Sequence, residues 1–233
     1  MRHGNALLGL GAAQAALALV NLRAWPVPAV ALVAWSGLSF LFVGAAYRRR
    51  APGVFGKRAA ADGRLGPLAV LLCLPYLLLS WGLWRVEGWL SRERRYDEAA
   101  PGLFLGRRPA SARALPPGVT LVADLTAEFP ACRAVAAQGR AYRCLPMLDG
   151  TAPSDETTFR AFVAEIAEAS ARGPVYVHCA QGHGRSALVA AAVLLERGLA
   201  ADPDAALAAV RAARPRARLS REQYALLERL YTS

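Results

Sequence analysis

The chain divides by hydrophobicity before anything else. Three runs, about Gly4 to Leu22, Pro28 to Tyr47 and Leu65 to Leu83, carry no charged residue for about 19 to 20 positions each, the length a helix needs to cross about 30 Å of hydrocarbon. Each is a candidate transmembrane helix. The second and third are rich in Leu, Val, Phe and Trp, and Trp25, Tyr47, Trp84 and Trp89 flank them where aromatic side chains favour the interface. The first is mostly Ala, Leu and Gly. With Met1-Arg2 ahead of it, it also reads as a signal peptide, but its length and the span that follows closely favour a retained helix.

From about Asp97 the pattern changes to short apolar runs alternating with amphipathic stretches. Val119 to Ala123, ending at Asp124, is a buried-strand pattern, and Ala141 to Pro146 is a second strand closed by proline. Ser154 to Ala171 places Phe159, Phe162, Val163, Ile166 and Ala167 at helical spacing, with Ser154 as the predicted N-cap and Gly173-Pro174 as the stop. Pro174 to His178 is a third strand, followed by a glycine loop and a helix from about Arg185 to Arg197. Asp202-Pro203 opens a helix that ends before Arg214-Pro215, and Ser220 to Gln223 is a capping-box pattern that starts the last one. Strands alternating with helices predict an α/β domain over 97–233, a central mostly parallel sheet flanked by helices. A membrane region over 1–84 precedes it, with about three transmembrane helices (4–22, 28–47 and 65–83), and 85–96 joins the two as an interfacial arm or linker, or equally as a frayed extension of the third helix.

Charge sharpens this division. A net charge of +11 would suit a nucleic-acid partner if it lay on the folded domain, but +7 of it falls in residues 1–84, +2 in 85–96 and only +2 in 97–233. The excess is juxtamembrane, where it meets anionic headgroups, so a membrane is an expected partner and a nucleic acid is not. The basic residues form two clusters, Arg48 to Arg64 and Arg85 to Arg108, on either side of the third apolar run. If that run crosses the bilayer, the clusters face opposite sides, and the positive-inside rule leaves the topology open. The four cysteines, Cys73, Cys132, Cys144 and Cys179, have no CxxC or Cys/His spacing, so neither a metal nor another cofactor is expected.

The candidate chemistry lies in His178-Cys179-Ala180-Gln181-Gly182-His183-Gly184-Arg185-Ser186. A loop between a strand end and a helix N-terminus gathers backbone N–H groups around one point, and the helix dipole adds partial positive charge there. Residues Ala180, Gln181, Gly182, His183, Gly184 and Arg185 therefore form an expected phosphate cradle, with Gly182 and Gly184 permitting the tight backbone. Cys179 at its mouth is the candidate nucleophile, because the same amides stabilise a thiolate. Arg185 supplies a planar fork for two phosphoryl oxygens, and Ser186 can donate to the cysteine sulfur as it departs. His178 is expected behind the loop and His183 facing substrate. Protonating a leaving oxygen calls for a carboxylic acid from elsewhere. Asp149, on a Gly/Thr/Pro-containing loop after a strand, is preferred to Asp155, which a helix N-terminus accounts for.

HCAQGHGRS resembles the HCxxGxxR(S/T) signature of the protein tyrosine and dual-specificity phosphatase superfamily. LPMLDGTAPSDETTF looks like its general-acid loop, PGLFLGRRPA and VTLVADLTAE like the opening of the dual-specificity domain, and RAARPRARLSREQ like its closing segment. The resemblance spans about 99–231. It implies the phosphatase fold, a phosphocysteine intermediate, Asp149 as acid and then base, and no metal. It also places Gln223 near a glutamine that orients the hydrolytic water in some relatives, although the capping box accounts for Gln223 equally well. The expected function is a membrane-anchored phosphatase acting on a phosphoprotein or a phospholipid. Gln181 and His183 stand where relatives acting on polyanionic lipids often carry Lys or Arg. A rhodanese-like sulfurtransferase and a catalytically silent phosphate-binding membrane protein are the alternatives. The former has no use for Asp149, and the complete Cys, Arg, Ser and Asp set argues against the latter. Thiolate chemistry favours a reducing cytoplasm. The Ala/Arg/Leu bias with one lysine suggests a GC-rich bacterial genome, so the expected location is a bacterial inner membrane with the catalytic domain on its cytoplasmic side.

Overall fold

The computed structural model describes residues 2–58, 62–132, 135, 139–153 and 155–232. Three helices open the chain, α1 (Arg2–Val20), α2 (Val27–Arg49) and α3 (Pro67–Leu90), and all three are long and apolar enough to cross a membrane. Helices α1 and α2 form a hairpin closed by glycines. A Cβ on Gly11 would lie 2.7 Å from the Gly37 carbonyl oxygen, and one on Gly44 would lie 2.9 Å from the Leu8 nitrogen. Only hydrogen at these positions lets the two backbones approach so closely. Helix α3 runs on to Leu90, so the first half of the 85–96 segment is the last part of a helix.

The C-terminal domain is built on β1 (Tyr96–Ala100), β2 (Leu103–Arg107), β3 (Leu121–Thr126), β4 (Ala141–Met147) and β5 (Val175–Cys179), in the order β1-β2-β5-β3-β4. The pairs β2/β5, β5/β3 and β3/β4 are parallel, and the β1/β2 hairpin is antiparallel. The sheet is thus mixed, with the expected parallel core and an antiparallel edge absent from the sequence reading. Helices α4 (Glu156–Arg172), α5 (Arg185–Glu196), α6 (Pro203–Ala213) and α7 (Arg221–Tyr231) follow. Their apolar sides, including Phe159, Ile166, Leu188, Val210 and Leu226, share one buried core with Leu105, Leu125 and Val177 of the sheet. Burying such side chains contributes about 1.5–3 kcal/mol each. Leu115, Val119 and Cys132 cover Val122 and Tyr176 on the opposite face.

The helix starts follow their caps, with one correction. Asp155, rather than Ser154, caps α4, its Oδ1 accepting from the Thr158 N–H at 3.0 Å; Ser154 lies outside the described residues. Asp202 caps α6, and Ser220 with Gln223 completes both bonds of the capping box on α7.

Behind the sheet's carboxyl end, a lysine from the α2–α3 connection is buried. Lys57 Nζ donates to Asp124 Oδ2 at 2.7 Å and to the carbonyls of Thr126 (2.7 Å) and Phe129 (2.8 Å). His178 Nδ1 is 3.9 Å from the same aspartate. Burial lowers the His178 pKa from 6.5 to about 4, even though Asp124 works in the opposite direction. Between pH 6.5 and 4 the unfolded chain therefore binds a proton that the folded chain refuses, and stability falls as the pH drops. The full effect is about 3 kcal/mol at one pKa unit per 1.36 kcal/mol. Urea unfolding at pH 7 and pH 5 is expected to show about 2 kcal/mol of this loss, and in His178→Gln the difference between the two pH values shrinks.

Candidate active site

Strand β5 ends on Cys179 and α5 starts at Arg185, so the intervening residues cross from a sheet edge to a helix N-terminus, as the sequence pattern predicts. Cys179 is 2% exposed. Its Sγ accepts from the Gly182 N–H at 3.2 Å and lies 3.5 Å from Ser186 Oγ. Gly182 has φ +80°, and a Cβ there would strike the Gly106 backbone at 2.4 Å, so both conformation and space demand glycine. Gly184 differs from expectation. Its φ is −103°, and an added Cβ would meet nothing closer than 3.7 Å, so no left-handed turn is needed there.

The loop is held from outside through three successive carbonyls. Trp84 Nε1 donates to Ala180 O (3.0 Å), Arg214 Nη2 to Gln181 O (3.0 Å) and Arg214 Nε to Gly182 O (2.7 Å). With these oxygens engaged by donors outside the loop, the neighbouring N–H groups are left to converge on its centre. Arg214 is itself fixed by Asp97 at 2.8 Å. The sequence marks Arg214 only as a helix breaker and Trp84 only as an interface aromatic. Their bracing role had no local signal, since each reaches the loop from a distant element.

Arg185 is 1% exposed and is gripped by Glu128. Nη1 and Nη2 donate to Glu128 Oε2 (2.9 Å) and Oε1 (2.8 Å), and Nη1 also reaches Met147 O at 2.9 Å. Burial pulls the guanidinium toward neutrality, but the Glu128 and Asp149 carboxylates outweigh it and hold Arg185 charged, well above its ordinary range. Arg185 Nε has no partner among the described residues, leaving one planar N–H for an incoming oxyanion. Sequence reading missed Glu128. The available signal was a carboxylate just beyond a mostly apolar strand, a place where an acid needs a cation.

Asp149 sits on the turn after β4, with Oδ1 3.4 Å from Arg185 Nη2 and its side chain 63% exposed. The turn is closed by Thr151 Oγ1 on Leu148 O (3.0 Å) and held from outside by Gln223 Nε2 on Thr151 O (3.0 Å). Gln223 thus caps α7 and braces the Asp149 turn with the same amide. Asp155 is committed to its helix cap.

His178 is buried behind the loop. His183, expected toward substrate, has its Nε2 2.7 Å from Glu93 Oε2, and Gln181 Nε2 donates to Glu87. Both loop side chains are therefore engaged by α3 and the residues that follow it. Between these elements opens a cleft of about 1370 Å³. Cys179, Arg185 and Asp149 lie on one side of it, and Leu7, Tyr47 and Leu83 of the N-terminal helices on the other. Among the described residues, no group of His, Cys, Asp and Glu is arranged to hold a metal ion.

A family model described as PTP-SAK, Swiss Army Knife protein, DSP-PTPase phosphatase domain, matches residues 105–226. No curated protein matches the chain. Among solved structures, human DUSP28 is 28% identical with a TM-score of 0.52, the match covering 60% of this chain and 94% of that one. Tk-PTP in its active form is 28% identical with a TM-score of 0.51, covering 59% and 96%. PTPMT1 in complex with PI(5)P shares the fold at 18% identity and a TM-score of 0.50, covering 59% and 94%.

Proposed function

Since the chain belongs to the DSP-PTPase family of cysteine-dependent phosphatases, we propose that it is a membrane-anchored enzyme that removes a single terminal phosphate from a lipid headgroup through a phosphocysteine. Cys179 Sγ attacks phosphorus and the P–O bond to the leaving group breaks, its oxygen taking the Asp149 proton. Water then attacks phosphorus while Asp149, now a carboxylate, accepts its proton. The S–P bond breaks with its electron pair returning to Cys179, helped by the Ser186 hydroxyl. Arg185 and the loop amides carry the negative charge of the transferring group throughout.

The single observation that carries the lipid reading is the cleft, whose far wall is made by the apolar helices. A phosphate seated at Cys179 leaves its organic portion running along Leu7 and Leu83, as a headgroup tied to acyl chains would. Glu87 and Glu93 beside Gln181 and His183 add negative charge near the loop. Arg214 (3.8 Å) and Arg216 (3.6 Å) lie against Glu93, and Gln181 and His183 give the loop itself no second cation for a polyphosphorylated headgroup, which favours a single phosphomonoester.

Purified protein in detergent or vesicles is expected to hydrolyse phosphatidic acid at least about tenfold faster, by kcat/KM, than phosphatidylinositol trisphosphate or a soluble phosphotyrosine peptide. The reverse preference for the peptide would overturn the lipid reading. Leaving-group dependence tests Asp149. Asp149→Asn is expected to lower kcat by about a hundredfold on an alkyl or lipid phosphate, within the range of general acid catalysis. The loss is smaller on an aryl phosphate whose leaving group needs little protonation, and equal losses on both would remove the assignment.

A further inference from the structure

Helix α3 has the length of a membrane span, but it is laid against the catalytic domain. Ahead of the helix, Lys57 donates to Phe129 O at 2.8 Å, and Ala131 N donates to Gly63 O at 2.8 Å. Toward its end, Trp84 packs against the ring of the same Phe129 at an interplanar angle of 60°, with centroids 5.6 Å apart, and Trp81 Nε1 donates to Glu128 O at 2.9 Å. Between these points, Cys73, Tyr76 and Leu77 share a buried cluster with Phe40 and Val43 of α2, with Phe55, and with Ala127 and Leu148 of the domain. Farther on, Arg107 Nη2 donates to Trp84 O at 3.2 Å and its guanidinium packs over Gly88. The domain thus holds the chain at Gly63, just ahead of the helix, and from Trp81 to Gly88 at its end, so both ends of α3 lie on the domain's side. The stretch between them, Pro67 to Ser80, is about 21 Å of helix at 1.5 Å per residue, against about 30 Å of hydrocarbon.

The opposite side of α3 is a continuous apolar stripe. Leu68, Leu71, Leu72, Leu79 and Val86 fall on one face at helical spacing and are all exposed. Arg85 stands beside the stripe, and Arg92 and Arg94 follow the helix. One apolar face with cations at its margin fits the headgroup–acyl boundary of an anionic bilayer.

We propose that only the α1–α2 hairpin crosses the membrane, and that α3 lies along the bilayer surface with its leucine stripe in the acyl layer. The inference rests on the membrane-anchored reading above. It removes the charge conflict in the sequence, because the basic clusters before and after α3 then lie on the same side as the catalytic domain. The hairpin tip, Asn21 to Pro26, carries only Arg23. At the other end of the hairpin, Arg48 to Arg50 follow α2, and Arg50 pairs with Glu222 of the catalytic domain at 3.1 Å. The positive-inside rule then places the catalytic domain in the cytoplasm.

The test is labelling with a membrane-impermeant maleimide in bacterial spheroplasts. It uses full-length Cys179→Ser carrying one added cysteine at an exposed position: Ala24→Cys at the tip, Arg64→Cys before α3, or Arg94→Cys after it. The remaining native cysteines are buried. Ala24→Cys is expected to label in intact spheroplasts, and the other two only after permeabilisation. Labelling of Arg64→Cys and Arg94→Cys from opposite sides would show that α3 crosses and sink the proposal. If both label in intact spheroplasts while Ala24→Cys does not, the cytoplasmic assignment falls. Release of the protein by alkaline carbonate is a separate result, because it removes the membrane anchoring itself.

Discussion

Cys179→Ser is expected to reduce turnover on any phosphomonoester by on the order of 10⁴-fold or more, the scale seen when an enzyme loses its only nucleophile. Phosphate affinity should change little. The loop amides, Arg185 and the N-terminus of α5 remain in place, and a serine hydroxyl fits where a thiol accepts from Gly182 N–H at 3.2 Å. Single-turnover kinetics with an aryl phosphate, together with inorganic phosphate inhibition or binding, separate the two effects. Acid quenching during turnover of the unsubstituted enzyme should also trap phosphate covalently on the chain, and no trapping is expected in Cys179→Ser. Full activity in the serine variant would end the assignment of the nucleophile.

Arg185→Lys is expected to lower kcat/KM by about a thousandfold, at the upper end of what one transition-state donor contributes. The loss is geometric, since lysine keeps the charge but lacks the planar fork that presents Nε to the phosphoryl group while engaging Glu128 through two other nitrogens. Glu128→Gln tests the grip itself. It leaves a buried guanidinium facing a neutral amide, so both activity and stability should fall. Removing one member of a buried ion pair costs about 3–5 kcal/mol where the other stays uncompensated. In the double variant Arg185→Lys, Glu128→Gln, the losses in activity should fall well short of the product of the single effects, because both act through the same fork. Simple multiplicative losses would mean that Glu128 does not position Arg185.

The loop chemistry was legible in sequence because its parts are contiguous. Cys179, Gly182, Arg185 and Ser186 lie within one strand–turn–helix passage, and the backbone alone brings them together. Asp149 was legible through the turn residues beside it. Glu128, Arg214 and Trp84 were not, because each acts across the fold, and the local pattern around each has a sufficient simpler reading. The β1–β2 hairpin was missed for a related reason: Tyr96–Ala100 is polar and half-exposed, with no alternation to mark an edge strand. The third apolar run is legible only in part. Hydropathy measures how apolar a segment is, and α3 is apolar enough to span, but its contacts with the domain lie in tertiary structure that no window along the chain can register.

Lys57 is the chain's single lysine, and its ammonium group is enclosed by Asp124, Thr126 and Phe129. A lysine-specific endoprotease therefore has one side-chain target in the whole polypeptide, and that target is shut while the α2–α3 connection is seated on the sheet. Cleavage would occur only when this connection lifts away. A single cut, separating the hairpin from the catalytic domain, then becomes a direct clock for undocking. Its rate in bilayers of different lipid content would report how firmly the surface holds the enzyme together.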